Sequence, residues 1–105
     1  MFGDMEGMMK KLQEAQQKIE ETKARLNTIL VEGESGSGKV TVTATANREI
    51  RSISIDDSVF NDKDELEDYL IIALNNALEN ANEINEREMS AAAKGGMPDI
   101  PGFDF

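Results

Sequence analysis

Val31-Glu32-Gly33-Glu34-Ser35-Gly36-Ser37-Gly38-Lys39-Val40-Thr41-Val42-Thr43-Ala44-Thr45-Ala46 is the stretch on which the fold turns. Gly33, Gly38 and Lys39 have the spacing of a phosphate-binding P-loop, which needs a Ser or Thr directly after the Lys to hold magnesium. Position 40 is Val, and Thr41 comes one place too late. A P-loop must also open a helix, whose N-terminus receives the phosphates. Residues 40–46 instead alternate Val or Ala with Thr, the period of a β-branched strand with one polar face. Gly36-Ser37-Gly38 therefore reads as a hairpin turn between strands at about 30–35 and 39–46. Asn47-Arg48 marks a second turn, and Ile53 and Ile55 place a third strand at about 50–55. The expectation is a three-stranded antiparallel meander.

Upstream, the period changes. Met5, Met8, Leu12, Ala15, Ile19, Thr22, Leu26 and Ile29 follow alternating steps of three and four, an unbroken heptad seam predicting one helix over residues 4–30. Such a helix is about 40 Å long, whereas a compact domain of this size is only about 33 Å across. The helix should overhang its own domain or pack on another chain. Met8, Leu12, Ile19, Leu26 and Ile29 are the expected dimer or core seam.

Downstream, Asp62 and Glu65 have capping-box spacing before a helix expected over 62–90. Leu66, Leu70, Ala73, Leu74, Ala77, Ala81 and Ile84 make its apolar stripe. Residues 95–105, with Gly95, Gly96, Pro98, Pro101 and Gly102, carry neither period and are expected to be a disordered tail. Residues 1–94 thus read as a single α+β domain of order α-β-β-β-α, homodimeric, with a projecting N-terminal helix.

Composition excludes much chemistry. The 105 residues include no Cys and no His, which removes thiol and imidazole catalysis and thiolate or imidazole metal sites. Asp56, Asp57, Asn61, Asp62 and Asp64 lack the central Gly and ligand alternation of a calcium loop, and fit a strand exit followed by a helix cap. No catalytic residue, metal or cofactor is expected, and the chain does not read as an enzyme. The longest apolar run, Leu70–Leu74, is far short of the roughly 20 residues of a membrane span. Met1–Met9 has acids and no basic cluster, so no signal peptide is expected.

With 21 acidic and 11 basic residues the net charge is −10, which at first argues against nucleic acid. Its distribution answers the objection. Residues 1–32 hold five basic and six acidic side chains, 33–56 three of each, and 57–105 three basic against twelve acidic. The first helix is nearly neutral and carries Lys10, Lys11, Lys18, Lys23 and Arg25. Lys11, Lys18 and Arg25 form one stripe with steps of about 10.5 Å. Glu6→Lys10, Glu14→Lys18 and Glu21→Arg25 are i,i+4 pairs in the favoured order. The aromatics do not interleave with the basics, so base stacking on single strands is not expected. Glu79, Glu83 and Glu86 make a negative stripe on the last helix.

The Met- and Gln-rich helix Met5–Gln17 and the segment Val31–Val42 carry a family resemblance. Ile53-Ser54-Ile55-Asp56, Asp64–Asp68 with Ala73–Ala77, and the Gly/Met/Pro tail continue it. Over nearly its full length the chain resembles the YbaB/EbfC family of bacterial nucleoid-associated proteins. The resemblance implies a tight α-β-β-β-α homodimer with projecting helices, binding double-stranded DNA with little sequence preference, in the cytoplasm at the nucleoid. Only a region transfers, the projecting helix with its five basic residues as the DNA-binding candidates. The charge leaves a second reading open, an acidic dimeric protein-interaction module without significant DNA binding.

Overall fold

A computed structural model describes residues 2–95. The order is α1 (Phe2–Leu26), β1 (Leu30–Ser35), β2 (Val40–Thr45), β3 (Ile50–Ile55), a 3-10 turn (Asp57–Asn61) and α2 (Lys63–Gly95). The three strands form an antiparallel sheet in the order β1-β2-β3, so the architecture is α-β-β-β-α. The tail expected to be disordered lies outside the described residues, apart from Gly95, which closes α2.

Two boundaries differ from expectation. α1 ends at Leu26, four residues before the expected end at 30. The Thr28 hydroxyl donates to the Arg25 carbonyl, and the Ile29 carbonyl accepts from Ala46 N–H at 2.9 Å, which draws the chain into the sheet. α2 runs on to Gly95 instead of fading at 90. Ala91-Ala92-Ala93 has the strongest helix propensity available, and Ala92 is buried.

The β1–β2 turn occupies left-handed backbone at Gly36, Ser37 and Gly38, with φ of 61°, 57° and 86°, and leads into a strand. The loop therefore cannot present a helix N-terminus to a phosphate. β1 and β2 bury Val31, Val40, Val42 and Ala44 against Ala73, Ala77 and Ala81 of α2. Gly33 makes that contact possible: a Cβ there would overlap the backbone of Ala73 and Ala77, with the Ala77 Cα only 2.8 Å away.

α2 lies over β1 and β2 and barely touches β3. At the free edge of β1, Asn76 and Asn80 Nδ2 donate to the Glu34 and Glu32 carbonyls at 3.2 and 2.8 Å, closing an edge that would otherwise invite another strand. The expected N-cap is made, Asp62 accepting from Glu65 N–H at 3.1 Å. Its own N–H goes to the Val59 carbonyl rather than back to Glu65, so half of the capping box is used. The aspartates before it do more than leave the strand. Asp56 caps the 3-10 turn, accepting from Ser58 N–H at 2.9 Å.

Candidate nucleic-acid interface

α1 enters the sheet at its C-terminal end, and α2 leaves from the same end. There Asn85 donates to the Ala46 carbonyl and Asn47 to the Lys23 carbonyl, at 3.0 and 2.8 Å. Beyond this point the two helices run side by side in opposite directions, joined by Arg25 and Glu88 at 2.9 Å. They form a two-helix arm. The molecule measures 71 × 26 × 16 Å, whereas the 33 residues of α2 span about 50 Å. The balance is α1 reaching past the end of its neighbour.

All five candidate basic residues lie on this arm, and all are exposed. Arg25 differs from the lysines because Glu88 engages it. Of the three i,i+4 pairs expected within α1, none is within ion-pair distance. The ion pairs among the described residues are Arg25–Glu88, Arg51–Glu49 and Lys63–Glu67. Arg25 turns across to α2, while Gln17 Nε2 donates to Glu21 at 3.3 Å. Exposed pairs of this kind contribute at most about 1 kcal/mol, so such exchanges cost little.

The seam residues divide along the arm. Leu26 is fully buried, Ile19 and Ile29 are half-buried, and Met8 and Leu12 are exposed. The inner part of the seam packs within its own chain, and Ile29 lies just beyond the helix.

Two basic residues of the last helix stand outside the five candidates. Arg87 and Lys94, seven apart, lie on the stretch of α2 that belongs to the arm. The signal available in sequence was that spacing combined with the alanine run between them. The arm, residues 5–26 and 84–94, holds seven basic and six acidic side chains. The head, residues 27–83, holds four basic and twelve acidic. Arg48, exposed on the head, donates to Asn82 and Asn85 of α2 at 3.1 and 3.2 Å.

The head also contains the groups with shifted acidity. Two hydrogen bonds from Ser58, the backbone one foremost, hold the Asp56 carboxyl below its ordinary range. A hydrogen bond with Glu65 keeps the Tyr69 hydroxyl protonated above its own. Neither lies beside a cluster suited to metal or catalysis, and no group of three or more metal-ligating side chains occurs among the described residues. Nor is any described helix long and apolar enough to cross a membrane.

A second surface stands apart from the arm. Ile50 and Ile53 pair with Ala44 and Val42 and so share the face that α2 covers over β1 and β2. A register shift at Thr43/Ala44 sets Ile50 on that face. With no helix above them they are 37% and 46% exposed. Ile71 lies on the flank of α2 nearest β3 and is also exposed.

Residues 1–97 match the YbaB/EbfC DNA-binding family. A nucleoid-associated protein of Flavobacterium johnsoniae is 54% identical over 101 residues, covering 96% of this chain and 95% of that one. The crystal structure of an uncharacterized protein from Helicobacter pylori superposes with a TM-score of 0.73 at 24% identity, covering 83% of this chain and 90% of the other. That likeness concerns the fold.

Proposed function

The chain belongs to the YbaB/EbfC DNA-binding family, and from that premise we propose that it is a nucleoid-associated homodimer gripping double-stranded DNA through phosphate contacts made by its arms. The observation that carries the reading is the segregation of charge. The arm is near neutral with exposed Lys10, Lys11, Lys18 and Lys23, while the acidic head can face away from the duplex. Lys11 to Arg25 is about 21 Å along α1, the axial length of about six base pairs. Lysine supplies point charges suited to phosphates, and the arm's charge is carried mainly by lysines, whose phosphate contacts position the duplex without reading its sequence. Little sequence preference follows.

Dimerisation is supported by β3, whose edge is unpaired within the chain and whose isoleucines lie bare. A second copy covering Ile50, Ile53 and Ile71 would bury them and set two arms at a fixed separation. Light scattering should then give twice the chain mass of 11.6 kDa. A monomer at every working concentration contradicts it.

Two arms offer about six to eight phosphate contacts, enough for a loss of about 10³-fold or more in affinity between 50 and 200 mM salt. The test is titration of a labelled duplex with the wild-type protein and with Lys10→Glu/Lys11→Glu/Lys18→Glu. Arg25 is left intact because it also holds the arm together. The acidic head favours a second reading, a module that binds basic protein partners. Partners that survive nuclease treatment, together with no duplex binding at about 50 mM salt, would select it. On the first reading the protein works in the cytoplasm at the nucleoid.

A further inference from the structure

The outer end of α1 carries an apolar stripe that its own chain leaves bare. From the Arg25–Glu88 contact α2 continues seven residues to Gly95, about 10 Å. In the same direction α1 continues twenty residues to Met5, about 30 Å. Over that outer stretch Met5, Met8 and Met9 are 60–65% exposed and Leu12 is 56% exposed. Met5, Met8 and Leu12 are nonetheless consecutive positions of the heptad seam whose Ala15 and Leu26 are buried. The seam is one continuous coiled-coil surface, covered from within the chain along its inner part alone. We propose that the outer part is covered by the same stretch of α1 from a second dimer, packed antiparallel, so that the arms of neighbouring dimers join tip over tip.

The heptad spacing sets the register. About a two-fold axis passing between the levels of residues 8 and 9, Met5 of one copy lies opposite Leu12 of the other. Met8 then faces Met8, and Met9 closes one flank against its own counterpart. A patch that complements itself in this way is what an isologous contact requires, and unbranched methionines adapt to an imperfect fit. Lys10 lies on the far side of α1 and stays in solvent. Four large side chains from each copy make a small contact beside the roughly 20–30 residues a side of a standard interface. One such pairing is weak. Two arms on each dimer make it multivalent.

Charge links the contact to the duplex. Antiparallel packing sets the Lys11 flanks of both copies on the same side, opposite Met9. Lys18 and Lys11 of one arm and Lys11 and Lys18 of the other then form a single row, with steps of about 10.5, 7.5 and 10.5 Å. These like charges oppose pairing in the free protein, and phosphates laid along the row neutralise them. Duplex DNA should therefore draw dimers together along its length. This coupling rests on the proposed DNA binding, whereas the pairing itself needs no DNA and is tested without it.

The chain has no Cys, so single cysteines on the full-length protein report the register, a disulfide needing Cα atoms within about 7 Å. Under mild oxidation Met8→Cys should form a covalent pair, faster as protein concentration rises and severalfold faster than Ser90→Cys, an exposed arm position off the seam. Leu12→Cys alone should link severalfold more slowly, because its counterpart lies about 10 Å away along the axis. Mixing it with Met5→Cys should restore the rate seen for Met8→Cys. Equal self-linking at positions 5, 8 and 12 overturns the antiparallel register. A rate independent of concentration overturns the contact between dimers, and one no faster than that of Ser90→Cys overturns the pairing altogether. Added duplex should speed linking of Met8→Cys severalfold. If the protein binds duplex and linking stays unchanged, the coupling falls and the pairing stands. Linking in a protein that binds no duplex sinks the DNA reading alone.

Discussion

Along α2, the first two-thirds lies on the sheet and the last third lies on α1, and the two stretches are held by different means. On the sheet, Ala73, Ala77 and Ala81 are fully buried, the helix backbone sits directly on Gly33, and asparagine side chains bind strand carbonyls. On α1, contact is carried by buried Leu26 and small residues such as Ala15 and Ala92, with one ion pair whose partners stay 53% and 31% exposed. Dense packing with little room for error builds the head. A narrow stripe between two helices builds the arm. The arm is thus the part free to diverge in charge and to adjust to a ligand, since regions with few buried contacts open at lower free energy than the core.

The sharpest way to break this contrast is at Gly33. Gly33→Val forces a side chain into the α2 backbone and should cost more than about 3 kcal/mol, beyond the usual range for a single substitution. Urea denaturation should show a large loss of stability or no folded protein, and a tolerated valine would mean that α2 does not sit directly on β1. Leu26→Ala comes next, at about 2–5 kcal/mol for a fully buried leucine. Hydrogen exchange should rise first in residues 5–26, and a uniform rise across the head would show that the two parts open together. Asp62→Ala removes the α2 cap for about 1 kcal/mol, read as a lower thermal midpoint while the arm's exchange pattern stays the same.

The smallest effect belongs to Asp56. Its carboxyl is held below the ordinary range by hydrogen bonds from Ser58, so the contribution is present above the unfolded value of about 3.9 and is lost as pH falls through the lower folded value. The Asp56→Asn variant should show a slightly shallower stability loss than wild type below about pH 4. An identical acid limb would show that Asp56 contributes nothing to the pH dependence.

The head was the more legible part in sequence. A strict period of two from Val40 to Thr45, the Gly36–Gly38 turn and the Asp62 cap placed its strands and helix start. These signals are local in the sequence. The asparagines of α2 were not legible as strand-edge partners. Read along the helix, Asn76 and Asn80 are simply polar, and only the docked sheet shows which carbonyls they meet. The arm was half-legible. The heptad seam and the length argument anticipated an overhanging helix and its lysines, yet the seam looked the same whether its cover came from within the chain or from a partner. Arg87 and Lys94 escaped notice because assigning them to the arm requires knowing where α2 leaves the sheet.

Duplex titration is the measurement closest to the central claim. At about 50 mM salt and micromolar protein the wild type should bind labelled duplex, and affinity should fall steeply by about 200 mM. Lys10→Glu/Lys11→Glu/Lys18→Glu should abolish most of that binding while leaving the urea midpoint of the head unchanged. Binding that survives the three reversals with the same salt slope would contradict the assignment of the arm as the DNA-gripping surface.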